Sequence, residues 1–585
     1  MNRYLTLSLS VLAAALLFVD CDSGLADLDV PNTNDPTRSS ALETDEDIQN
    51  LLSGTTTNTM QATVSDWGPH MDLMADQITS TNAFRSFWDF AEEPRLTLNN
   101  RPTYATPTAF TDPWSSFNSG QAGANEILRI TDVNGNNITI GGSDVTAKMR
   151  ASAYFLRGVA RGHLGMIYDQ AYLVPAETDP LEIEAGSVEL TPYGEMIDAA
   201  VSDLEQAISI AENNGFTWDL LLNNAYNSAE LEEVAHSFAA KFLISKARTA
   251  QEARNFSTEY LDRIIGHANQ GVGQGGVLDS FTPTSTDGEY YHANADWGTL
   301  VISGPAGYLP TDLKVLHLLD PDYPVEYPTG SEEVLGPVES PDPRAGYFSY
   351  TEAFGFLSAA RNRSLFSNYW RLRTYAANSW FNRSGDPVMT ITNSEVQYIK
   401  AEAHLLKGEM GNAATALENS PFGTVPTALE IQLPAVREAV FGEEPQDDLE
   451  NLTADRSISS GNSMAEFVRA LHYEYAVELD LMTTIGTQWF FMRRHGLLQE
   501  GTPLHYPVPG EELQVLRDDY YTFGGVDNAG SEGTASGDNS WRTFDERNGI
   551  SSPVGFESSS EKTQSPVRIE SENLDVDTPP RAEQQ

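Results

Sequence analysis

A mainly α-helical fold with one large irregular region is predicted by three features of the chain. Apolar stripes at helical spacing occur in both halves, two capping boxes open later helices, and between Gly271 and Asn378 the texture shifts to Gly, Pro, Asp and aromatic residues with weak periodicity. From about Leu42 to Leu222 the pattern is mainly helical. Met149 to Tyr168 (MRASAYFLRGVARGHLGMIY) carries small and apolar residues around most of its circumference, which suits a helix packed on several sides. Thr191-Pro192 predicts an N-cap followed by proline in the first turn, and Met196, Ala200, Leu204, Ala207 and Ala211 then form one stripe. Another helix is predicted from about Ala229 to Ala250. After the irregular region, Thr392-x-x-Glu395 is a capping box followed by Val396, Ile399, Ala403 and Leu406. Ser463-x-x-Glu466 is a second, with Phe467, Leu471, Tyr475 and Leu479 on one face.

Within Glu395 to Leu417 the residues Ala401, His404, Gly408, Ala413 and Leu417 fall close to the packing positions of a tetratricopeptide-like helix pair. Small residues there allow close helix approach, and the glycine marks the turn. The helices from Met196 to Ala250 suggest a second pair. Irregular segments borne on such a scaffold are common places for binding, which directs attention to the middle region.

At the N-terminus, an apolar run from Tyr4 to Val19 follows Arg3 and precedes Cys21, the only cysteine in 585 residues. The run is an export signal, too short for an ordinary membrane-spanning helix. Cleavage before Cys21 would make its thiol the first side chain of the mature protein and a site for lipid, and several acyl chains on one residue anchor stably. Asp20 just before the thiol and the small-x-small site Gly24-Leu25-Ala26 leave plain secretion open. The expected division is a signal peptide over 1–20, a Pro/Asn/Asp/Thr tether over 21–41 and a body over 42–522. The body has an N-terminal part to about 270 and a loop-rich and C-terminal part from 271. An acidic Gly/Ser-rich tail follows over 523–585, with too little apolar surface to offset its ordering entropy except as an extended lash on the body.

The charge balance excludes one class of partner. Acidic residues number 84 against 35 basic ones, and only seven of the latter are lysines, so nucleic acid, which requires dense Lys and Arg, is not expected. Self-repulsion on this scale is screened when molar salt shortens the Debye length to about 3 Å, which suggests life in strong brine. A lone cysteine allows neither an intramolecular disulfide nor a CxxC site. No GxSxG elbow, Walker A loop or HExxH occurs, and no metal or cofactor is expected. Asp132-Val-Asn-Gly-Asn-Asn resembles a calcium loop only at its start, and a tight turn at Asn134-Gly135 is the better reading.

Residues Glu474 to Leu513 (EYAVELDLMTTIGTQWFFMRRHGLLQEGTPLHYPVPGEEL) carry a resemblance to a known family. They resemble the closing signature of SusD/RagB nutrient-binding lipoproteins: a Glu-Arg-x-x-Glu-Leu helix, an acid-Gly-x-Arg-Trp-x-Asp-Leu-Arg-Arg run, then Ile-Pro-x-x-Glu-Leu. Glu474, Glu478 and Leu479 match the first element, Gly486, Trp489, Arg493 and Arg494 the second, and Val508, Pro509, Glu512 and Leu513 the third. Tyr475 stands where the family has arginine, Ile485 where it has an acid, Gln488 for arginine and Phe491 for aspartate, with three extra residues before Gly486. Ala151 to Pro175 is similar to the family's Ala-x-x-FLRA-x-x-Tyr helix, and Ser394 to Leu417 to its Ala-Glu-Ala-rich helix. Leu28-Asp29-x-Pro31 sits where these proteins have a tether.

The resemblance implies a SusD-like α-helical fold with four tetratricopeptide-like helix pairs and a variable, loop-rich face. It also implies a lipid at Cys21, a place on the outer membrane at the cell surface, and a TonB-dependent SusC-like transporter as partner. Such a protein captures a nutrient, commonly a glycan or oligosaccharide, and passes it inward without chemistry. Sugar faces stack on aromatic rings while hydroxyls need polar groups nearby. In the segments that carry ligand contacts in the family, the candidates here are Trp88, Asn82, Tyr290 and Trp297, with Trp67 and Arg85 behind them; Trp489 should be structural. The competing readings are a secreted glycoside hydrolase and a helical-repeat scaffold for a protein partner.

Overall fold

The computed structural model describes residues 42–550, apart from 66, 81–83, 179–187, 220–224, 277, 279, 282–308, 328–334, 341, 343–344, 346–347, 351–364, 366, 372–389, 421–457, 480–485 and 538–540. The chain divides into two compact units, Met1–Gln49 and Asn50–Gln585. Helix α1 (Asp45–Ala62) begins in the first, where the Thr44 amide donates to Asp47 Oδ2 (3.0 Å) and the Asp47 amide to Thr44 Oγ1 (3.2 Å), and most of its length, from Asn50, belongs to the second. The expected signal peptide, the tether and Cys21 lie outside the described residues.

The second unit is built on helices that pack one on the next. After α2 (Trp67–Met74) and the short α3 (Phe87–Ala91) come α4 (Thr108–Leu128), α5 (Thr146–Ile167), α6 (Tyr193–Asn213) and α7 (Ser228–Ser245). Helix α4 packs on α5, α5 on α6, and α6 on α7. The small residues of α5 explain how it can be enclosed. A Cβ at Gly158 would lie 3.0 Å from the Ala200 carbonyl oxygen, and one at Gly162 would lie 2.2 Å from the Phe242 ring, so α6 and α7 approach where no side chain intervenes. Two arginines on the same helix knit the layer together. Arg157 binds Asp203 of α6 through Nε and Nη2 (3.0 and 2.6 Å) and Asn125 of α4 (2.9 Å). Arg161 adds Asp203, Gln121 and the Val174 carbonyl (2.7, 2.8 and 2.6 Å). Every polar arm is matched, which is what makes buried charge tolerable.

The array continues through α8 (Ala250–Arg254) and α9 (Thr258–Ala268), with α9 packed on α7. The single helix expected over 229–250 ends at Ser245, and a capping box at Thr249 and Glu252 starts a new one. The chain then leaves for the irregular region, which holds helix α10 (Leu313–Leu319) and an antiparallel pairing of Phe348–Tyr350 with Tyr369–Arg371. It returns at Ile391–Thr392, which pairs antiparallel with Ser280–Phe281 and closes the excursion at its base. Helix α11 (Asn393–Leu406) then packs on α9, and α12 (Met410–Glu418) on α11, so the interrupted array resumes where it stopped.

Both capping boxes mark real helix starts, with one difference. Ser463 and Glu466 make the reciprocal pair at α13 (Met464–Glu474). At α11 Thr392 Oγ1 accepts from the Glu395 amide (3.3 Å), but the Glu395 carboxylate is drawn away by Lys241 (2.9 Å). Thr191-Pro192 also departs from expectation: Leu190–Pro192 pairs with Gln170–Tyr172, and Pro192 itself is the residue preceding α6, with no side-chain cap. The chain bends at Asn134, with Gly135 at φ 69°, and Asp132 serves Tyr154 (2.8 Å) and Arg150 (3.1 Å).

The closing segment comprises α14 (Thr487–His495), α15 (Gly510–Leu516) and α16 (Trp541–Asn548). Helix α16 and the stretch 523–537 lie beyond residue 522, in the part expected to attach to the body at most as an extended lash. Residues 523–537 are laid along the body by backbone hydrogen bonds: Leu98 amide to Phe523 carbonyl (3.0 Å), Gly525 to Gly501 (2.8 Å) and Ala535 to Thr502 (2.8 Å). Gly524 and Gly525, at φ 88° and 89°, take conformations that other residues rarely adopt and let backbone meet backbone. A composition poor in apolar side chains hides this kind of attachment.

Candidate functional site

The segment after α2 and the irregular region meet. Ile78 bridges Thr311 antiparallel, the Thr79 amide donates to the Pro310 carbonyl (2.9 Å), and the Asp312 amide to the Gln77 carbonyl (3.1 Å). Thr79 Oγ1 reaches the Leu365 carbonyl (3.0 Å), and the Thr311 amide the Tyr369 carbonyl (2.8 Å). Two stretches separated by more than 200 residues thus form one corner.

Beneath the corner lies a buried ionic hub. Carboxylate oxygens of Asp76, Glu93 and Asp312 lie within 4.8 Å of one another, a spacing that could hold a metal ion. Here the Lys314 ammonium stands among them, paired with Glu93 and lying 3.3 Å from Asp312 Oδ1 and 3.5 Å from Asp76 Oδ1. Arg95 binds Asp76 (2.6 Å), Gln499 donates to Asp76 Oδ2 (2.6 Å), and the Tyr327 hydroxyl donates to Asp312 (2.8 Å). Three carboxylates face two cations. Burial pushes the Asp312 carboxyl up to about 6; Lys314 opposes the rise, and Asp76 and Glu93 add to it. Lysine, not metal, is the counter-ion these contacts describe.

Arg95 also joins the hub to α3, donating to the carbonyls of Phe90 (3.1 Å) and Met74 (3.2 Å). Helix α3 carries Trp88, which is partly exposed. Immediately before α3, Arg85 and Ser86 are consecutive non-glycine residues at φ 47° and 57°, a conformation that costs of order 1–3 kcal/mol per residue. Surrounding contacts hold it: Ser86 Oγ lies 3.0 Å from Thr106 Oγ1, and the buried His70 ring lies 3.3 Å from the Arg85 carbonyl. Burial depresses the Arg85 guanidinium while Asp112 supports it. Asp112 is itself raised by burial, lowered by Arg85 and raised again by Glu511. Asp89 accepts from the Tyr104 hydroxyl (2.9 Å). An indole and several hydroxyl, carboxylate and guanidinium groups therefore occur on neighbouring segments, the mixture a polyhydroxylated ligand requires.

Of the residues singled out from sequence, Trp88 and Arg85 lie on the segment 84–91, which Arg95 ties to the hub through the Phe90 carbonyl. Trp67 does not belong among ligand contacts: it is 3 % exposed, its Nε1 donates to the Ala62 carbonyl (2.8 Å), and its ring packs 6.0 Å from those of His163 and Phe490. The glycine of the closing signature serves that packing. Gly486 has φ 90°, and a Cβ there would lie 2.9 Å from the Trp67 ring. Asn82, Tyr290 and Trp297 lie outside the described residues.

The rest of the closing signature is structural. Trp489 is fully buried; Arg493 donates to the carbonyls of Met166 (3.0 Å), Leu504 (2.9 Å) and Ser245 (3.1 Å), binding the ends of α5 and α7. Arg494 grips the buried Glu402 through Nε and Nη2 (2.6 and 2.7 Å), and His495 adds a third contact (2.8 Å). Burial alone would raise the Glu402 carboxyl, but Arg494 and His495 outweigh it and hold it at about 2. Tyr475 and Phe491, which stand for the family's arginine and aspartate, stack on each other with ring centroids 4.5 Å apart at 17°.

No family model matches the chain, and no curated protein matches it. Solved structures do. A SusD homologue from Bacteroides fragilis is similar over 80 % of this chain and 94 % of its own, at 14 % identity and a TM-score of 0.50. A Bacteroides vulgatus protein is similar over 84 % of this chain and 99 % of its own, at 13 % identity and a TM-score of 0.50. The helical array with its interposed irregular region is thus a SusD-like fold.

Proposed function

We propose that this protein is a non-catalytic nutrient-binding lipoprotein of the outer-membrane surface, which captures a glycan or oligosaccharide and delivers it to a TonB-dependent SusC-like transporter. The carrying observation is the corner where Ile78 and Thr79 join Pro310 and Thr311 above the Lys314 hub, with Trp88 and Arg85 on the adjoining segment. A rigid base under an irregular face suits selective binding by side chains. The Bacteroides vulgatus structure is described as that of an outer-membrane protein involved in nutrient binding, which supports the same reading. Among the described residues no helix is long and apolar enough to cross a membrane.

Trp88→Ala is expected to bind the cognate oligosaccharide roughly tenfold more weakly, a loss of about 1.4 kcal/mol, with the thermal midpoint little changed. Affinity electrophoresis in polysaccharide gels measures this, and unaltered retardation would remove Trp88 from the site. Anchoring is proposed at Cys21. Wild type should take up labelled fatty acid and Cys21→Ala should not; equal labelling would leave a secreted protein.

A further inference from the structure

Two guanidinium groups and an imidazole gather inside the protein at the C-terminal end of α5. Arg248, in the link between α7 and α8, donates through Nη2 to the carbonyls of Gly165 (2.6 Å) and Tyr168 (2.7 Å), and its guanidinium lies over the Tyr193 ring, 3.5 Å from the centroid. Arg493 of α14 donates through Nη1 to the carbonyls of Met166, on the same helix end, and of Leu504. His505 follows Leu504 directly, its ring 6.4 Å from that of Tyr193 and 4.3 Å from that of Phe523. The stretch 523–537 covers it: the Leu504 amide donates to the Gly533 carbonyl (2.8 Å), and a Cβ at Gly533 would lie 2.6 Å from His505 Nε2. Arg248 is 2 %, Arg493 1 % and His505 7 % exposed.

These contacts leave polar atoms over. Arg248 Nε and Nη1, Arg493 Nε and both ring nitrogens of His505 are buried without a hydrogen-bond partner among the described residues. Buried polar groups are nearly always paired, so their concentration at one helix end calls for a partner. The acids that act on Arg248 from a distance, Asp169 and Glu252, are engaged elsewhere: Glu252 accepts from the amides of Arg248 (2.6 Å) and Thr249 (3.2 Å), and Asp169 from the Tyr521 hydroxyl (2.7 Å). We propose that the cluster holds a small monovalent anion, chloride in a saline medium, which accepts from Arg248, Arg493 and His505. Burial opposes the charge of both guanidiniums, and Arg248 and Arg494 add repulsion at Arg493, a cost that an anion relieves. Burial and the two arginines hold the His505 ring well below its usual range, so it is neutral and offers one N–H. A single-atom ion needs no entry channel when it is enclosed as the closing segment folds onto α5. Burial of the donors, which shuts out a ligand with a body, therefore favours it. With 84 acidic residues to 35 Lys and Arg the chain as a whole repels anions, and this buried cluster is a place where positive charge lacks a carboxylate partner.

Bromide is the probe, because it substitutes for chloride and scatters anomalously. Crystals of the full chain soaked in sodium bromide should show an anomalous peak at hydrogen-bond distance from Arg248, Arg493 and His505. In solution, chloride should raise the thermal midpoint when it replaces gluconate at constant sodium and ionic strength, conditions that keep screening of the acidic surface equal. The rise should saturate, reaching about 2–3 °C at a hundredfold excess over the dissociation constant. His505→Phe keeps a ring against Phe523 and should weaken chloride binding about tenfold, and Arg248→Gln should abolish the response. The readout in each variant is the difference between chloride and gluconate, so a lower starting midpoint does not obscure it; should Arg248→Gln fail to fold, the bromide map of the wild type decides. No bromide peak at the cluster, midpoints indifferent to the anion, or a full chloride response in both variants would overturn the proposal. Trp88→Ala should keep the chloride response, which separates this site from oligosaccharide capture.

Discussion

Glu402→Gln is expected to lower the stability of the folded chain by about 3–5 kcal/mol at pH 7, because it leaves the Arg494 guanidinium buried without its counter-charge. Glu402 is 0 % and Arg494 2 % exposed at the side chain, so water cannot replace the lost partner. The His495 ring, 2.8 Å from the same carboxylate, then faces a neutral amide. The pH dependence identifies the cause. Glu402 is held at about 2 in the folded state, below an ordinary glutamate. Its contribution is therefore complete above about pH 4.5 and is lost as pH falls through about 2, a change of about 3 kcal/mol. Urea unfolding of both proteins between pH 7 and pH 3 should show the gap closing in acid. A gap that stays constant would mean that the cost comes from packing alone.

Lys314→Met should be comparably damaging, again by about 3–5 kcal/mol, for the opposite reason: the buried Asp76 and Asp312 and the half-buried Glu93 lose their shared cation. Asp312 is pushed up to about 6 even with lysine present, so in the folded state it holds a proton that the unfolded chain has released. That contribution is complete below about pH 4 and lost as pH rises through about 6. Removing the lysine strengthens the trend, because each remaining carboxyl then favours protonation further. The variant should be markedly more stable at pH 5 than at pH 8, measured by thermal midpoint. Since the hub joins Asp76, Glu93 and Gln499 to the irregular region, oligosaccharide binding should weaken along with it. An unaffected midpoint would show that the hub does not hold the corner.

The helical scaffold was readable from the chain because its signals are local. Ser463 and Glu466 are three residues apart, and the enclosed circumference of α5 is written in consecutive residues. Errors arose where a distant group intervened. Glu395 has the spacing of a capping box, but Lys241, 154 positions earlier, takes its carboxylate. Trp67 sits in a segment rich in polar and aromatic residues, and only the approach of α14 and the His163 ring makes it core. The attachment of residues 523–537, expected at most as an extended lash, is made by backbone groups, whose partners composition does not specify.

The hub could not be found among 84 acids, where any pair of carboxylates is uninformative. A usable signal existed on the other side of the pair. Lysine occurs seven times, and Lys314 lies in the run Leu313–Leu319, apolar but for itself and His317, where a charge must have a buried partner. Tyr475 and Phe491 carry a related lesson. Each alone departs from the closing signature, yet the two rings stack on each other, so the departures are compatible with one packed contact.

Calorimetric titration of the full chain with neutral oligosaccharides tests the central claim most directly, because one trace separates capture from chemistry. Each injection should give a heat pulse that returns to baseline and diminishes to saturation, and the response should be weakened in Trp88→Ala. A sustained heat flow after each injection would signal turnover and contradict a non-catalytic protein. Absence of any saturable heat across neutral oligosaccharides would contradict glycan capture.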